Sequence, residues 1–290
     1  MQAESECYLC LLSQVFRVTG VLKPGKEQTM KMAREACGFL ARTNFNRTPP
    51  EISEDLYKLL AKLSGHPDPY SKIKKESIEK AWQLYPEFKE LVDSSSDSLR
   101  TALEISLAGN VIDFGANATQ DWLKDKKFLN LGSLAIDDYK LLVEDLGRAK
   151  KIVFLGDNAG ETVFDRLFIE KLPCQVVYAV REKPIINDAT MEEAKLSGLA
   201  EVAELVSSGC QAPGTVIESC SPEFINILKE ADLIMAKGQG NFECLEQVRG
   251  PFYFLLKAKC EVVARYLGVS PGGSIIMKSK NFTQRLSLQF

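Results

Sequence analysis

IVFLGDNAGETVFDRLFIEKL, Ile152 to Leu172, joins two periodicities through a polar turn. Ile152–Leu155 is an apolar run of strand length. Beyond the turn, Phe164, Phe168 and Leu172 recur every four residues with Val163 and Leu167 beside them, the stripe of a helix pressed onto a sheet. Between the two stand an Asp, an Asn, two Gly and a Glu. The same alternation runs outward from about residue 150. Further short apolar runs lie at Gln175–Val180, Val202–Val206, Leu233–Ala236 and Phe252–Leu256, with helical patterns near 160–171, 189–197, 222–229, 241–247 and 260–267. Strands alternating with helices predict an α/β fold around a largely parallel sheet.

Upstream the pattern is helical. Residues 7–18, 26–45, 51–63 and 74–93 carry apolar groups at helical spacing, separated by Lys23-Pro24-Gly25, Thr48-Pro49-Pro50 and His66-Pro67-Asp68-Pro69. The run Ser94-Ser95-Ser96-Asp97 breaks the pattern and supplies an N-cap for a helix over 98–109. The expected organisation is a helical region over 1–97 and an α/β domain over 98–290. No internal repeat or low-complexity segment interrupts it.

At 290 residues the chain can bury a sizeable core. Apolar content of 45% and charged content of 26% are those of an ordinary globular protein, and the formal charge of −3 is small and interspersed. No basic tail or lysine-rich patch favours nucleic acid, and no apolar run reaches the roughly 18–20 residues of a membrane span. The eight cysteines are scattered apart from Cys7-x-x-Cys10. A reducing cytoplasm is the expected compartment.

In such sheets ligands bind outside the carboxyl ends of the strands. Gly156-Asp157-Asn158 follows the first run, Arg181-Glu182-Lys183 with Pro184 to Asp188 follows the second, and Lys237-Gly238-Gln239-Gly240-Asn241 follows the fourth. Three polar, glycine-bearing ends on one edge predict a site there. A dinucleotide loop would read G-x-G-x-x-G; here Asn158 replaces the middle glycine, and Glu182 stands where a ribose-binding acid would. Asp157 would repel a phosphate unless a cation intervened. Asp157, Asn158 and Asp188 offer only oxygen donors, the set hard divalent ions prefer, and a single histidine rules out a histidine-rich zinc site. Ala159 and Gly160 are expected to open the next helix with amides toward an anion. Lys237 adds a positive charge, and Gly238 and Gly240 allow close backbone approach.

LGDNAGETVFD, PIINDAT and AKGQGNFE together resemble the damage-control phosphatase family of metal-dependent phosphatases. SLAGNVIDFG (Ser106–Gly115), the CYLC start, DPY at 68–70 and FLLKAKC at 254–260 resemble further motifs of that family, so the likeness spans nearly the whole chain. It is greatest to the stand-alone subfamily of prokaryotes and archaea with an N-terminal C-x-x-C. The resemblance implies a three-layer α/β/α sandwich with an N-terminal helical region. It implies that Asp157, Asn158 and Asp188 hold a divalent metal (Mn²⁺, Co²⁺, Ni²⁺ or Mg²⁺). Asp157, Glu161 and Lys237 would be catalytic, and Asn110, Asp113, Gly160, Gly238 and Asn241 would line the phosphate pocket. The implied partner is a small phosphorylated metabolite, a sugar phosphate or a damaged one.

Either a water or Asp157 itself could attack phosphorus. Two other classes stay open on the residues: an S-adenosylmethionine-dependent methyltransferase and a non-catalytic metabolite-binding protein. Cys7 and Cys10, with Cys37 as a third, could bind zinc, but thiols buried on a helix are the plainer reading. His66 reads as a turn residue or a contact near the substrate.

Overall fold

A computed structural model describes residues 1–109 and 134–288. Five helices come first: α1 (Cys7–Leu22), α2 (Lys26–Arg42), α3 (Pro49–Ser64), α4 (Ser71–Ser94) and α5 (Ser98–Gly109). Their starts follow the local signals. Thr48 and Glu51 form a reciprocal capping box ahead of the two prolines of α3. Asp97 accepts the Arg100 amide at 2.9 Å, as its place before α5 predicts.

The second half runs β1 (Ile136–Asp137), α6 (Tyr139–Leu146), β2 (Lys151–Leu155), α7 (Thr162–Ile169), β3 (Gln175–Val180), α8 (Met191–Leu196) and β4 (Glu204–Ser207). Then come α9 (Pro222–Glu230), β5 (Leu233–Lys237), α10 (Gly238–Leu245), β6 (Phe252–Lys257), α11 (Glu261–Leu267) and β7 (Ser274–Lys278). The strands form one sheet in the order β1-β7-β6-β5-β2-β3-β4, parallel except where β7 runs against β6.

Side-chain alternation sorts the strand residues into two cores. Val153, Leu155, Ala179 and Ala236 face one core shared with α1–α3 and α9–α11. Ile152, Phe154, Tyr178 and Met235 face another, shared with α4–α8. A sheet covered on both faces needs strands apolar at every position, which is why β2 reads as a continuous run. The architecture is the expected three-layer α/β/α sandwich with N-terminal helices.

All five anticipated strands are present. The sequence reading missed β1, α6 and the antiparallel β7. It also placed the helix after β5 at 241–247, whereas α10 begins at Gly238. Lys237-Gly-Gln-Gly is therefore a strand end running straight into a helix and not a solvated turn.

The chain leaves β2 for β3 on one side, while β5 pairs with β2 on the other. That reversal of strand order is the topological switch point, where crossover helices diverge and open a crevice. The ends of β2 and β5 meet there in register, Leu155 opposite Ala236.

Candidate active site

Asp157 is the second residue past β2, and the loop that carries it is tied to the segment after β3. Ala189 donates to the Asp157 carbonyl and Ala159 to the Asn187 carbonyl, both at 2.8 Å. Asn158 and Asp188 face each other in an antiparallel bridge. Backbone pairing thus brings together the three residues proposed as oxygen donors from sequence. The Asn158 amide nitrogen donates to Oδ2 of Asp157 at 2.9 Å, which fixes its own carbonyl oxygen as the free donor end.

Gly238, with φ +80°, lies directly against Asp157. A Cβ there would sit 2.1 Å from Oδ2 and 2.3 Å from Cγ of Asp157, so the first residue of α10 has to be glycine if the carboxylate is to keep its place.

The buried charges form two clusters. Lys237, wholly buried, donates from Nζ to the Ser106 carbonyl at 3.0 Å, to Ser106 Oγ at 2.9 Å and to Oδ1 of Asp165 at 2.5 Å. Tyr178 closes the other oxygen of Asp165 at 2.8 Å. In the second cluster, Arg181 donates from Nε to Asp188 at 2.9 Å. Its remaining nitrogens reach Thr215 Oγ1 at 3.2 Å, Asn241 Oδ1 at 3.3 Å and the Gly156 carbonyl at 3.4 Å. The Asn241 amide nitrogen donates to the carbonyls of Lys237 (2.7 Å) and Gly156 (3.2 Å), lacing the ends of β2 and β5 together.

Glu161 receives the Asn158 amide on Oε1 at 3.0 Å, while its other oxygen, fully buried, has no hydrogen-bond partner among the described residues and stands 3.9 Å from Lys237. Burial pushes Glu161 up to about 8 against the pull of Lys237, and Asp157 and Asp165 repel it further. Burial likewise lifts Asp188 to about 7 although Arg181 opposes the shift. Burial alone would lower Lys237, but Asp165 and Glu161 outweigh it and hold the ammonium above its usual range.

Four buried carboxylates, Asp157, Glu161, Asp165 and Asp188, face two buried cations, Arg181 and Lys237. If all are ionised, the cluster carries two uncompensated negative charges, the complement of one divalent cation. The donor chemistry agrees, since Asp157, Asn158 and Asp188 present oxygens only. Among the described residues, no group of three or more His, Cys, Asp or Glu gathers that could hold a metal. The same observation leaves Cys7, Cys10 and Cys37 without a zinc cluster; Cys7 is buried, and Cys10 and Cys37 are exposed.

Comparison with known proteins shows the family. The damage-control phosphatase ARMT1-like domain matches residues 3–275. A damage-control phosphatase from Pyrococcus horikoshii is 34% identical over 97% of this chain and 99% of its own length. Another from Archaeoglobus fulgidus is 33% identical over 95% of this chain and 98% of its own. The crystal structure of a DUF89-family protein from Pyrococcus horikoshii superposes with a TM-score of 0.90 at 34% identity, covering 97% of this chain and all of that one. The chain belongs to the damage-control phosphatase family.

Within this damage-control phosphatase, Asp157, Asn158, Glu161, Asp188, Lys237, Gly238 and Asn241 converge on the switch point as the sequence suggested. Asn110 and Asp113 lie outside the described residues. One expectation is corrected. The Ala159 amide is taken by Asn187 and α7 begins only at Thr162, so Ala159 does not offer an anion its N–H. The Gly160 amide makes no hydrogen bond among the described residues.

Three residues that order the site were not singled out as site residues: Arg181, Asp165 and Ser106. Asp165 had a readable signal, a lone acid among Phe164, Leu167 and Phe168, one helical turn past Glu161. Arg181, the first residue past β3, had only its position.

Proposed function

We propose that this enzyme is a metal-dependent phosphatase acting on small phosphorylated metabolites, sugar phosphates or damaged ones. The observation that carries the reading is the buried oxygen cluster at the switch point, in a chain of the damage-control phosphatase family.

On this reading Asp157, Asn158 and Asp188 hold one divalent cation, Mn²⁺, Co²⁺, Ni²⁺ or Mg²⁺. When bound, such an ion polarises the phosphoryl oxygens and offsets their charge. The protein's own groups do the rest. Arg181 orients Asp188, and Gly238 keeps the space against Asp157 clear. The Gly160 amide is available to a phosphoryl oxygen. Lys237 is held by Ser106 and Asp165 and contributes a fixed positive charge beside Glu161. Glu161, pushed up to about 8, is placed to carry a proton near neutral pH. The nucleophile is a water or the Asp157 carboxylate. Eight free thiols suit a reducing compartment, and we place the enzyme in the cytoplasm; no described helix is long and apolar enough to cross a membrane.

Phosphate release from a panel of phosphate esters, measured with each metal, with chelator and with Asp157→Asn, tests the reading. We expect release that chelator abolishes and metal restores. A wild type that releases no phosphate under any metal overturns the function; a fully active Asp157→Asn overturns the site.

A further inference from the structure

A cavity of about 290 Å³ opens between α3, the turn at Pro67–Pro69 and the loop that follows β3. Its walls are mainly apolar: Tyr57, Leu60, Pro69, Pro184, Ile185 and Ile186. At about 30 Å³ per water-sized atom, it has room for roughly ten non-hydrogen atoms.

Two of those walls belong to the turn that delivers Asp188. The Asp188 amide donates to the Ile185 carbonyl at 3.0 Å, and between them Ile186 adopts φ +45°. A β-branched residue in left-handed backbone is strained and persists only where its surroundings enforce it. The side chains at the corner of this turn line the cavity, and its last residue is paired with Asn158. The cavity thus shares with the oxygen cluster the turn that delivers Asp188.

Its chemistry discriminates between alcohols. Aliphatic and prolyl walls cannot replace the hydrogen bonds that sugar hydroxyls lose on leaving water, whereas an apolar face gains from burial. Of the charged groups that line it, Lys58 pairs with Glu54 at 2.5 Å and Asp68 with Lys74 at 2.8 Å, while Lys183 is exposed, and Gln211 is the one neutral amide in the lining.

We propose that this cavity is the subsite for the organic part of the substrate, and that it selects phosphomonoesters whose alcohol carries a ring or branched apolar group of roughly ten non-hydrogen atoms. This inference rests on the reading of Asp157, Asn158 and Asp188 as the reacting centre. It narrows the substrate class away from plain hexose phosphates.

The test compares benzyl phosphate and pyridoxine 5′-phosphate with glucose 6-phosphate and phosphoglycolate in the wild type and in Ala61→Phe. Ala61 lines the cavity without contributing to the oxygen cluster. In the wild type, the two ring esters should exceed glucose 6-phosphate at least about ten-fold in kcat/KM. Ala61→Phe should lower kcat/KM for the ring esters about ten-fold or more, mainly through KM, and leave phosphoglycolate within about two-fold. A preference for glucose 6-phosphate, or an equal loss on every ester, overturns the proposal. Calorimetric titration with benzylphosphonate gives a readout that needs no turnover; binding should weaken about ten-fold in Ala61→Phe, with Ala61→Leu as the milder variant if the larger one does not fold. Phosphonate binding that depends on residue 61, in an enzyme releasing no phosphate, would keep the cavity and sink the phosphatase; turnover indifferent to residue 61 would do the reverse.

Discussion

Replacing Gly238 with alanine puts a methyl group where Asp157 now stands. The new Cβ would lie 2.1 Å from Oδ2, and ordinary contact begins near 3.4 Å, so the carboxylate or the start of α10 has to move by the difference, 1.3 Å. The backbone cannot rotate away cheaply. At φ +80° an L-residue costs about 1–2 kcal/mol more than glycine, and leaving that region would break the entry into α10. Two separable effects follow. Urea unfolding of the metal-free protein should show a loss of about 1–3 kcal/mol. Turnover should fall about 100-fold, because a displacement near 1 Å at a reacting group costs that much. Metal affinity, read as the Mn²⁺-dependent rise in melting temperature, should drop in parallel, since Asp157 is a proposed ligand. A Gly238→Ala protein that melts with wild-type response to Mn²⁺ and turns over within about three-fold would refute the placement of Asp157 and the reasoning built on it.

Asp165→Asn leaves Lys237 buried without its 2.5 Å partner and should cost about 3–5 kcal/mol in urea unfolding; a loss under about 1 kcal/mol would show that Ser106 and Glu161 suffice. Arg181→Lys keeps a charge but not the fork that spans Asp188, Thr215, Asn241 and Gly156, so Mn²⁺ affinity by calorimetry should fall about 10–100-fold, and an unchanged affinity would count against its positioning role. Burial raises Glu243 from 4.5 to about 7, with only partial relief from Gln239. A raised acid favours folding in its protonated form, so its penalty is absent below pH 4.5, grows between 4.5 and 7 and is complete above 7. Glu243→Gln should therefore gain stability over wild type across that window, reaching about 3 kcal/mol at pH 8; parallel pH curves for the two proteins would rule this out.

Legibility followed burial. β2, β3, β5 and β6 were visible because strands covered on both faces are apolar throughout, and α7 because Phe164 and Phe168 repeat at helical spacing. β7 was hidden: its five residues follow Gly272-Gly273, and although α11 precedes it, it enters the sheet antiparallel to β6. The Lys237–Asn241 run misled because glycines at 238 and 240 weaken any helix signal, whereas here Gly238 is needed for contact with Asp157. The three proposed oxygen donors could be found one by one at strand ends. Their mutual placement could not, because it depends on Ala159 and Ala189 backbone bonds between segments roughly thirty residues apart. Arg181 was hardest for the same reason: a charge just past a strand looks solvated until its buried partner is known.

Two costly features of this chain lie together at the switch point. Ile186 in left-handed backbone lies two residues before Asp188, and Glu161 keeps one buried oxygen without a hydrogen bond among the described residues. Each is unfavourable in isolation by about 1–3 kcal/mol. Elsewhere the sheet is built of apolar strands with paired backbones, and nothing in packing the two cores requires four acids beside two bases at the ends of β2, β3 and β5. Stability alone would replace Glu161 or Asp188 with an apolar residue, as buried ion pairs can often be replaced without loss. Their clustering at the switch point therefore argues for selection on chemistry. On the proposed reading, a divalent cation held there binds the folded state alone and should raise the melting temperature; a melting temperature unmoved by Mn²⁺ would count against it.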